Sequence, residues 1–197
     1  CLILVTPDSE RTMCTFLGTA GKINENDIDE KIVKLSKITL LEGYLWDKGE
    51  PQKAFNKAII NSSLSAMSLS DLFCVERHKK YFLDLVQNKL NITFANEQEI
   101  TALIGAKNFK DVIEFAKKNK KLIVITRGEN GALAIKDDQV VECNAKKNLK
   151  IKDLTGAGDL FAAGFLHGYV NKLSLRESLE KGTELSSKII QQVGARL

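Results

Sequence analysis

Short apolar runs and amphipathic segments alternate along the chain. The apolar runs predict buried strands at Leu2–Thr6, Thr12–Leu17, Ile38–Glu42, Leu64–Leu69, Ile92–Ala95 and Leu122–Thr126. Residues 131–135 and 139–143 predict a hairpin that turns near Asp137 and Asp138. Apolar residues that recur on one face predict three helices, at Gln52–Asn61, Val75–Asn88 and Lys110–Asn119.

This order of elements indicates an α/β protein with a mostly parallel sheet and helices on both faces. Ligands in such sheets bind beyond the carboxyl ends of the strands. The loops after Ala95 and Thr126 are therefore candidates for a site, and so is the loop before Gly156.

The last third of the chain is helical. Residues Ala157–Val170 predict one helix, and Ser174 with Glu177 forms the capping-box pattern that begins the next one. No Pro-rich or Gly-rich linker divides the chain, so we expect no second complete domain.

Composition narrows the class of protein. The chain has 197 residues, 44% hydrophobic and 27% charged, which suits a soluble globular domain. No apolar run approaches the roughly 20 residues that span a membrane, so we expect no membrane partner. The net charge of +4 is dispersed and does not favour nucleic acid. The four cysteines form no C-x-x-C pair, which favours reduced thiols in a cytoplasm. The chain lacks an initiator Met, so we expect it to begin inside a larger protein.

Gly156, Ala157 and Gly158 lie between Asp153 and Asp159 at the start of a predicted helix. A helix N-terminus has unpaired N–H groups and a partial positive charge, and small residues let an anion approach them. One interpretation is a tight loop with Asp159 as an acid that stabilises the first turn. The other is phosphoryl transfer, in which the N–H groups hold the phosphoryl group and Asp159 accepts a proton from the attacking hydroxyl. The chain has no G-x-x-x-x-G-K-[ST] segment, so the turn is not a Walker A loop.

Several segments together resemble the ribokinase/PfkB family of carbohydrate and nucleoside kinases. "DLTGAGD" followed by "LFAAGF" resembles the second signature of that family. "NEQE" at Asn96–Glu99 resembles its N-x-x-E motif, and "TRGENGA" at Thr126–Ala132 resembles its nucleotide loop. "VGA" at Val193–Ala195 resembles its closing helix. "LEGYLWD" and "SLSDLFCVERH" resemble the adenosine kinase-like bacterial branch.

The resemblance implies a role for each matching residue. Asp159 is the expected catalytic base, and Gly156, Ala157 and Gly158 are the expected anion hole. Arg11 is expected to bind phosphate. The expected nucleotide-binding residues are Asn96 and Glu99, which organise Mg²⁺ and its waters around ATP, and Thr126, Gly128 and Gly131. Asp153 and Thr155 are expected to hold a monovalent cation such as K⁺.

Three of these motifs also have ordinary structural interpretations. Asn96 is a residue that caps helices, and Glu99 would then complement the dipole of the helix. "TRGENG" is also typical of a turn after a strand, and Arg11 alone is typical of a surface arginine. The family resemblance favours the functional interpretation because the motifs occur together and in the family's order.

The resemblance implies a cytoplasmic, ATP- and Mg²⁺-dependent kinase that phosphorylates a hydroxyl of a nucleoside or sugar, with adenosine or a ribose-like sugar expected. The alternative is a nucleotide-binding module or an inactive kinase fragment without catalysis. The implied fold is ribokinase-like, with a Rossmann-like three-layer core. Residues 1–197 would be the C-terminal two thirds of that kinase domain, without its N-terminal strands and lid. The expected partner is a small molecule, and both a monomer and a homodimer remain open.

Overall fold

A computed structural model describes residues 1–46 and 50–197. Asp47, the last residue of the "LEGYLWD" segment, lies outside the described residues. The chain forms two compact units. Unit 1 comprises Cys1–Leu17, Thr126–Ala134 and Val141–Leu197, and unit 2 comprises Gly18–Ile125 and Ile135–Val140.

The strands follow the predicted order. They are β1 (Leu2–Val5), β2 (Arg11–Cys14), β3 (Thr39–Glu42), β4 (Ser65–Ser68), β5 (Ile92–Asn96), β6 (Leu122–Thr126), β7 (Ala132–Lys136) and β8 (Gln139–Cys143). The helices are α1 (Glu30–Leu35), α2 (Pro51–Asn61), α3 (Leu72–Asp84), α4 (Glu97–Ile104), α5 (Phe109–Asn119), α6 (Ala157–Val170) and α7 (Leu175–Ile189). A π-helical turn at Leu85–Lys89 continues α3. Within the described residues, no helix is both long enough and apolar enough to cross a lipid bilayer.

Six strands form one sheet in the order β3-β4-β5-β6-β7-β8. The β3–β4 and β4–β5 pairs are parallel, with Thr39 opposite Ser65 and Ala66 opposite Ile92. This confirms the predicted α/β fold with a mostly parallel sheet. Strands β1 and β2 instead form a separate antiparallel pair, with Leu2 opposite Cys14. Their short connection explains the difference, because parallel strands need a longer crossover.

Strands β4 and β5 are the buried centre of unit 2, and every residue of Ile92–Ala95 is buried. Trp46, which follows β3, packs edge-on against Phe55 of α2 and Phe82 of α3, with ring centroids 5.1 and 6.2 Å apart. Edge-to-face aromatic packing of this kind fixes the position of the chain beyond the carboxyl end of β3.

In unit 1, α6 packs closely against α7. A Cβ on Gly164 would lie 2.6 Å from the carbonyl oxygen of Lys181, so the two backbones touch. Helix α7 begins as predicted, with Ser174 accepting a hydrogen bond from the Glu177 N–H and Glu177 accepting one from the Ser174 N–H. This packing and capping fix the position of α6, which begins at the glycine turn.

The assignment of Val193–Ala195 to a closing helix is wrong. Helix α7 ends at Ile189, and residues 193–195 follow it outside any helix. Gly194 has a φ of +94°, which is incompatible with a right-handed helix. Its N–H donates instead to the carboxylate of Asp153, 2.9 Å away, so this segment lies against the loop before α6.

Candidate functional site

The glycine turn lies at the start of α6, as the sequence predicts. Gly156 is the N-cap residue, with a φ of +80°, and no side chain caps the helix. A Cβ on Gly158 would meet no atom within 4 Å. Among the described residues, no acceptor is found for the N–H groups of Gly158 and Asp159. The first turn of α6 therefore presents open hydrogen-bond donors and the positive end of the helix dipole.

Asp159 lies in this first turn, and its side chain is exposed. It follows the open N–H groups directly in the chain. Open N–H groups at a helix start suit an anion, and a carboxylate is a side chain of the type that accepts a proton. Gly156, Ala157, Gly158 and Asp159 thus form the first turn of α6, while their roles as anion hole and catalytic base stay predictions.

Asp153 is buried behind the turn. One carboxylate oxygen accepts the N–H of Thr155 at 2.8 Å, and the other accepts the N–H of Gly194 at 2.9 Å. The nearby Thr155 side chain, which makes no hydrogen bond of good geometry to Asp153, and then the Gly194 N–H lower the pKa of Asp153 below its usual value, and the charge of Arg11 lowers it further. Arg11 lies on β2, and the turn before it is tied to this region by a bond from the Ser9 hydroxyl to the Ile151 carbonyl at 3.2 Å.

Thr155 has a hydroxyl oxygen that is buried without a hydrogen-bond partner. The residue is 5% exposed, and the neighbouring Asp153 is 2% exposed. An orphaned buried oxygen beside a buried carboxylate is costly in an apolar interior. A cation that takes oxygen ligands would remove that cost, so these two residues fit the cation site predicted from the sequence.

The predicted nucleotide loop follows β6. Thr126 ends the strand, and a tight turn covers Gly128–Asn130. The Arg127 N–H donates to the Gly131 carbonyl at 2.8 Å and closes the loop. Gly131 has a φ of +84°, and a Cβ there would lie 2.0 Å from the Cys143 carbonyl oxygen. The loop is therefore closed by a backbone hydrogen bond and lies against the end of β8, while its contact with nucleotide stays a prediction.

In unit 2, Asn96 and Glu99 begin α4 with a capping box. The Asn96 side-chain oxygen accepts the Glu99 N–H at 2.8 Å, and Glu99 accepts the Asn96 N–H at 2.9 Å. The Asn96 amide also donates to the second Glu99 oxygen at 2.7 Å. The helix-start interpretation of "NEQE" is thus confirmed. The magnesium role stays a prediction, since no cluster of three or more His, Cys, Asp or Glu ligands is found in residues 1–46 and 50–197.

Glu99 is 5% exposed, which is unusual for a carboxylate. The pKa of Glu99 is raised to about 7, mainly by burial. The Asn96 N–H lowers this pKa, and the charges of Asp71 and Glu42 contribute to raising it. Glu42 ends β3, and Asp71 follows β4, so the negative charges that act on Glu99 come from the carboxyl ends of neighbouring strands. The side-chain oxygens of Asn96 and Glu99 are of the type that Mg²⁺ prefers, and an ion that keeps most of its waters would need no cluster of three protein ligands.

The raised pKa of Glu99 predicts a pH-dependent stability. The folded protein keeps a proton between pH 4.5 and 7 that the unfolded chain has released. The free energy of unfolding should therefore fall as pH rises through this range, by about 3 kcal/mol when wild type is compared with Glu99→Gln. Urea unfolding of both proteins between pH 4.5 and 8, without divalent cations, measures this difference.

Glu177 provides the matched control, because it occupies the same place in the capping box of α7 but is exposed. Its hydrogen bonds to Ser174 lower its pKa, so its contribution to stability is present at neutral pH and is lost as pH falls. Glu177→Gln should therefore change the pH dependence in the opposite direction. The same sign for both variants would contradict the burial argument for Glu99.

An exposed aromatic pair also lies at the carboxyl ends of β3 and β4, and sequence reasoning did not assign it a role. Tyr44 is 41% exposed and Phe73 is 47% exposed, and their ring centroids lie 6.0 Å apart at 43°. The Arg77 guanidinium lies 5.4 Å from the centre of the Phe73 ring. Tyr44 lies in "LEGYLWD" two residues after β3, and Phe73 lies in "SLSDLFCVERH" in the first turn of α3, so an aromatic residue soon after each strand is the signal that identifies them.

Comparisons with known proteins identify the class. The crystal structure of an adenosine kinase from Sinorhizobium meliloti matches with a TM-score of 0.95 at 37% identity, over 99% of this chain and 61% of that chain. A ribokinase II structure from E. coli, in complex with ATP and Mg²⁺, matches with a TM-score of 0.86 over 98% of this chain and 65% of that chain. At 16% identity the second match shows the fold alone. The fold is therefore the ribokinase-like α/β fold.

The sequence comparisons identify the family. The pattern of the pfkB family carbohydrate kinase matches residues 1–197. The cytidine kinase of Thermococcus kodakarensis is 37% identical over 112 residues, 55% of this chain and 40% of that protein. The adenosine kinase of Dictyostelium discoideum is 29% identical over 218 residues, 99% of this chain and 62% of that protein. The chain thus spans less than two thirds of the length of these relatives. It belongs to the pfkB family of carbohydrate kinases.

Proposed function

We propose that the chain carries the phosphoryl-transfer chemistry of an ATP- and Mg²⁺-dependent kinase that phosphorylates a hydroxyl of a nucleoside. The observation that carries the proposal is the open first turn of α6, with exposed Asp159 directly after it. Asp159 accepts the proton of the attacking hydroxyl. The N–H groups of the turn, given room by Gly156 and Gly158, stabilise the negative charge that develops on the transferred group.

In this proposal, different residues bind the nucleotide and its metal ion. The loop with Thr126, Gly128 and Gly131 lies against the phosphates of ATP, and Arg11 binds phosphate oxygens. Asn96 and Glu99 hold Mg²⁺ through its waters, which suits an ion that keeps much of its hydration. Mg²⁺ supplies charge neutralisation for the phosphates when bound. Asp153 and the orphaned Thr155 hydroxyl oxygen hold a monovalent cation such as K⁺ behind the glycine turn.

The acceptor is proposed to be a nucleoside, rather than a free sugar, because of the aromatic pair. A base stacks on aromatic rings irrespective of its identity, whereas a pentose offers no aromatic face. Tyr44 and Phe73 expose two tilted rings in unit 2, at the ends of strands where ligands of such sheets bind. Kinases of adenosine and cytidine among the relatives support the same class.

The proposal is tested by binding and turnover over a panel of adenosine, cytidine, ribose and fructose with ATP and Mg²⁺. We expect turnover of a nucleoside and weaker turnover of the free sugars. The alternative of a nucleotide-binding module without catalysis predicts that ATP binds and that no acceptor is phosphorylated. The chain spans less than two thirds of the length of these relatives. ATP binding without phosphorylation of any acceptor would therefore contradict the proposed kinase activity of the chain.

Removal of either aromatic ring should weaken nucleoside binding selectively. Tyr44→Ala and Phe73→Ala are each expected to raise the Kd for adenosine about 5- to 100-fold, which is the usual size of one lost stacking contact. The Kd for ATP in the absence of a nucleoside should stay within about twofold of wild type. Calorimetric titration of the variants with adenosine and with ATP measures both constants.

Tyr81→Ala is the matched control for these variants. Tyr81 is also an exposed aromatic residue of unit 2, 56% exposed, and its ring lies 6.4 Å from that of Trp46 rather than beside Phe73. Its removal should leave adenosine binding close to wild type. Equal losses from all three substitutions would show that the aromatic pair does not bind the base.

A further inference from the structure

The connection between β4 and α3 turns at Ser70, which adopts an uncommon backbone conformation. Its φ is +73°, in the left-handed region that non-glycine residues other than Asn and Asp seldom occupy. Such conformations persist where the surrounding structure holds them, and they concentrate at functional sites. The contacts of Ser70 therefore indicate which neighbouring residues its conformation positions.

The Ser70 hydroxyl joins this turn to the chain after β3. It accepts a hydrogen bond from the N–H of Tyr44 at 3.3 Å and donates one to a carboxylate oxygen of Glu42 at 3.1 Å. The Ser70 N–H is itself held by the Ser68 hydroxyl at 3.2 Å. One hydroxyl thus connects the ends of two neighbouring parallel strands at the residue that carries the Tyr44 ring.

The backbones of the two connections also touch. A Cβ on Gly43 would lie 2.8 Å from the carbonyl oxygen of Leu69, so no larger residue fits between Glu42 and Tyr44 without a shift. On the other side of Ser70, Asp71 caps α3 by accepting the Phe73 N–H at 3.1 Å. The Ser70 hydroxyl therefore holds the Tyr44 backbone, while Asp71, the residue after Ser70, holds the Phe73 backbone.

We propose that Ser70 is a positioning residue for the nucleoside site, which sets the separation and tilt of the Tyr44 and Phe73 rings through its hydroxyl. This inference rests on the proposed function, because it assumes that the two rings bind the base. Ser70 does not touch the base in this arrangement. It acts through the Tyr44 backbone, so its contribution disappears when the Tyr44 ring is absent.

A double-mutant cycle with Ser70→Gly and Tyr44→Ala tests the proposal. Glycine adopts the left-handed conformation without strain, so Ser70→Gly removes the hydroxyl and keeps the turn. We expect the Kd for adenosine to rise about 3- to 10-fold, the usual effect of one lost hydrogen bond, with the Kd for ATP unchanged. In the Tyr44→Ala background, Ser70→Gly should change the Kd for adenosine by less than about 1.5-fold.

Two further variants complete the experiment. Ser70→Asn keeps an acceptor oxygen and a residue type that tolerates this conformation, so it should restore part of the lost affinity. Ser62→Ala is the control, since it removes a part-buried serine hydroxyl that bonds the Ala58 carbonyl at the end of α2, and it should leave the Kd for adenosine unchanged.

The outcomes separate this inference from the proposed function. An unchanged Kd for adenosine in Tyr44→Ala overturns the base-binding role of the rings and the positioning role of Ser70 together. A raised Kd in Tyr44→Ala with wild-type affinity in Ser70→Gly overturns only the role of Ser70. So does a loss from Ser70→Gly that persists in full when the Tyr44 ring is absent, because the hydroxyl would then act independently of that ring.

Discussion

Asp159→Asn is expected to lower kcat for nucleoside phosphorylation by about 10²- to 10⁴-fold, the range that loss of a general base produces. Asparagine has nearly the same shape but is unable to accept the proton of the attacking hydroxyl. The N–H groups of the glycine turn remain in place, so the Kd for ATP should stay within about threefold of wild type. A coupled ADP assay with adenosine, together with ATP titration of the same preparation, measures both quantities.

The control must separate a base from an acid that only stabilises its helix. Asp111 is a first-turn acid of α5 and forms a capping box with Asn108, but no glycine turn precedes it. Asp111→Asn should lower helix stability by about 1 kcal/mol and leave kcat close to wild type. If Asp159→Asn behaved like Asp111→Asn, with a small stability loss and full turnover, Asp159 would be only a helix-stabilising residue.

The sequence predicts the elements well where a local pattern determines them. The apolar face of α5 and the capping box of α7 are contained in neighbouring residues, and both elements begin within one residue of the prediction. The hairpin of β7 and β8 turns at Asp137, which has a φ of +53°, a conformation that aspartate tolerates. The glycine turn before α6 is likewise local, so Gly156 and Asp159 could be placed from the sequence alone.

Features that depend on distant contacts could not be predicted in the same way. Helix α1 has no buried residue, so it lacks the amphipathic pattern that identifies a helix. The proximity of Tyr44 and Phe73 depends on β3 and β4 being neighbours in the sheet, although the residues are separated by a whole helix in the chain. The orphaned Thr155 oxygen depends on burial that no local pattern specifies.

Local patterns and distant contacts also contribute differently to the two motif residues of "NEQE". Asn96 and Glu99 have the spacing of a capping box, and local reasoning correctly treats that spacing as the start of a helix. What separates Glu99 from the exposed Glu177 is its burial beside Asp71 and Glu42, which comes from β3, β4 and β5 ending at one edge. A carboxylate buried near like charges is costly, and a cation that keeps most of its waters would offset part of that cost.

Gly131→Ala should destabilise the protein more than Gly128→Ala, although both glycines lie in the loop after β6. The new Cβ would lie 2.0 Å from the Cys143 carbonyl oxygen and 2.9 Å from the Ala145 backbone nitrogen, and neither is the end of a flexible side chain. The φ of +84° adds conformational strain for any L-residue. We expect the free energy of unfolding to fall by at least about 4 kcal/mol, which corresponds to a fall in Tm of roughly 8 to 16 °C for a chain of this size.

Gly128→Ala isolates the packing contribution, because Gly128 lies in the same loop and also has a positive φ, +55°, but a Cβ there meets no atom within 4 Å. Gly128→Ala should lower the free energy of unfolding only through the strain of an L-residue at positive φ, by about 1 to 2 kcal/mol, and lower Tm by a few degrees. Thermal unfolding of both variants beside wild type gives the comparison. Equal losses would mean that backbone conformation alone decides stability in this loop. A much larger loss at Gly131, or its failure to fold where Gly128→Ala folds, would mean that the loop is held in place by its backbone contact with the end of β8, and nucleotide would then bind to a preformed loop.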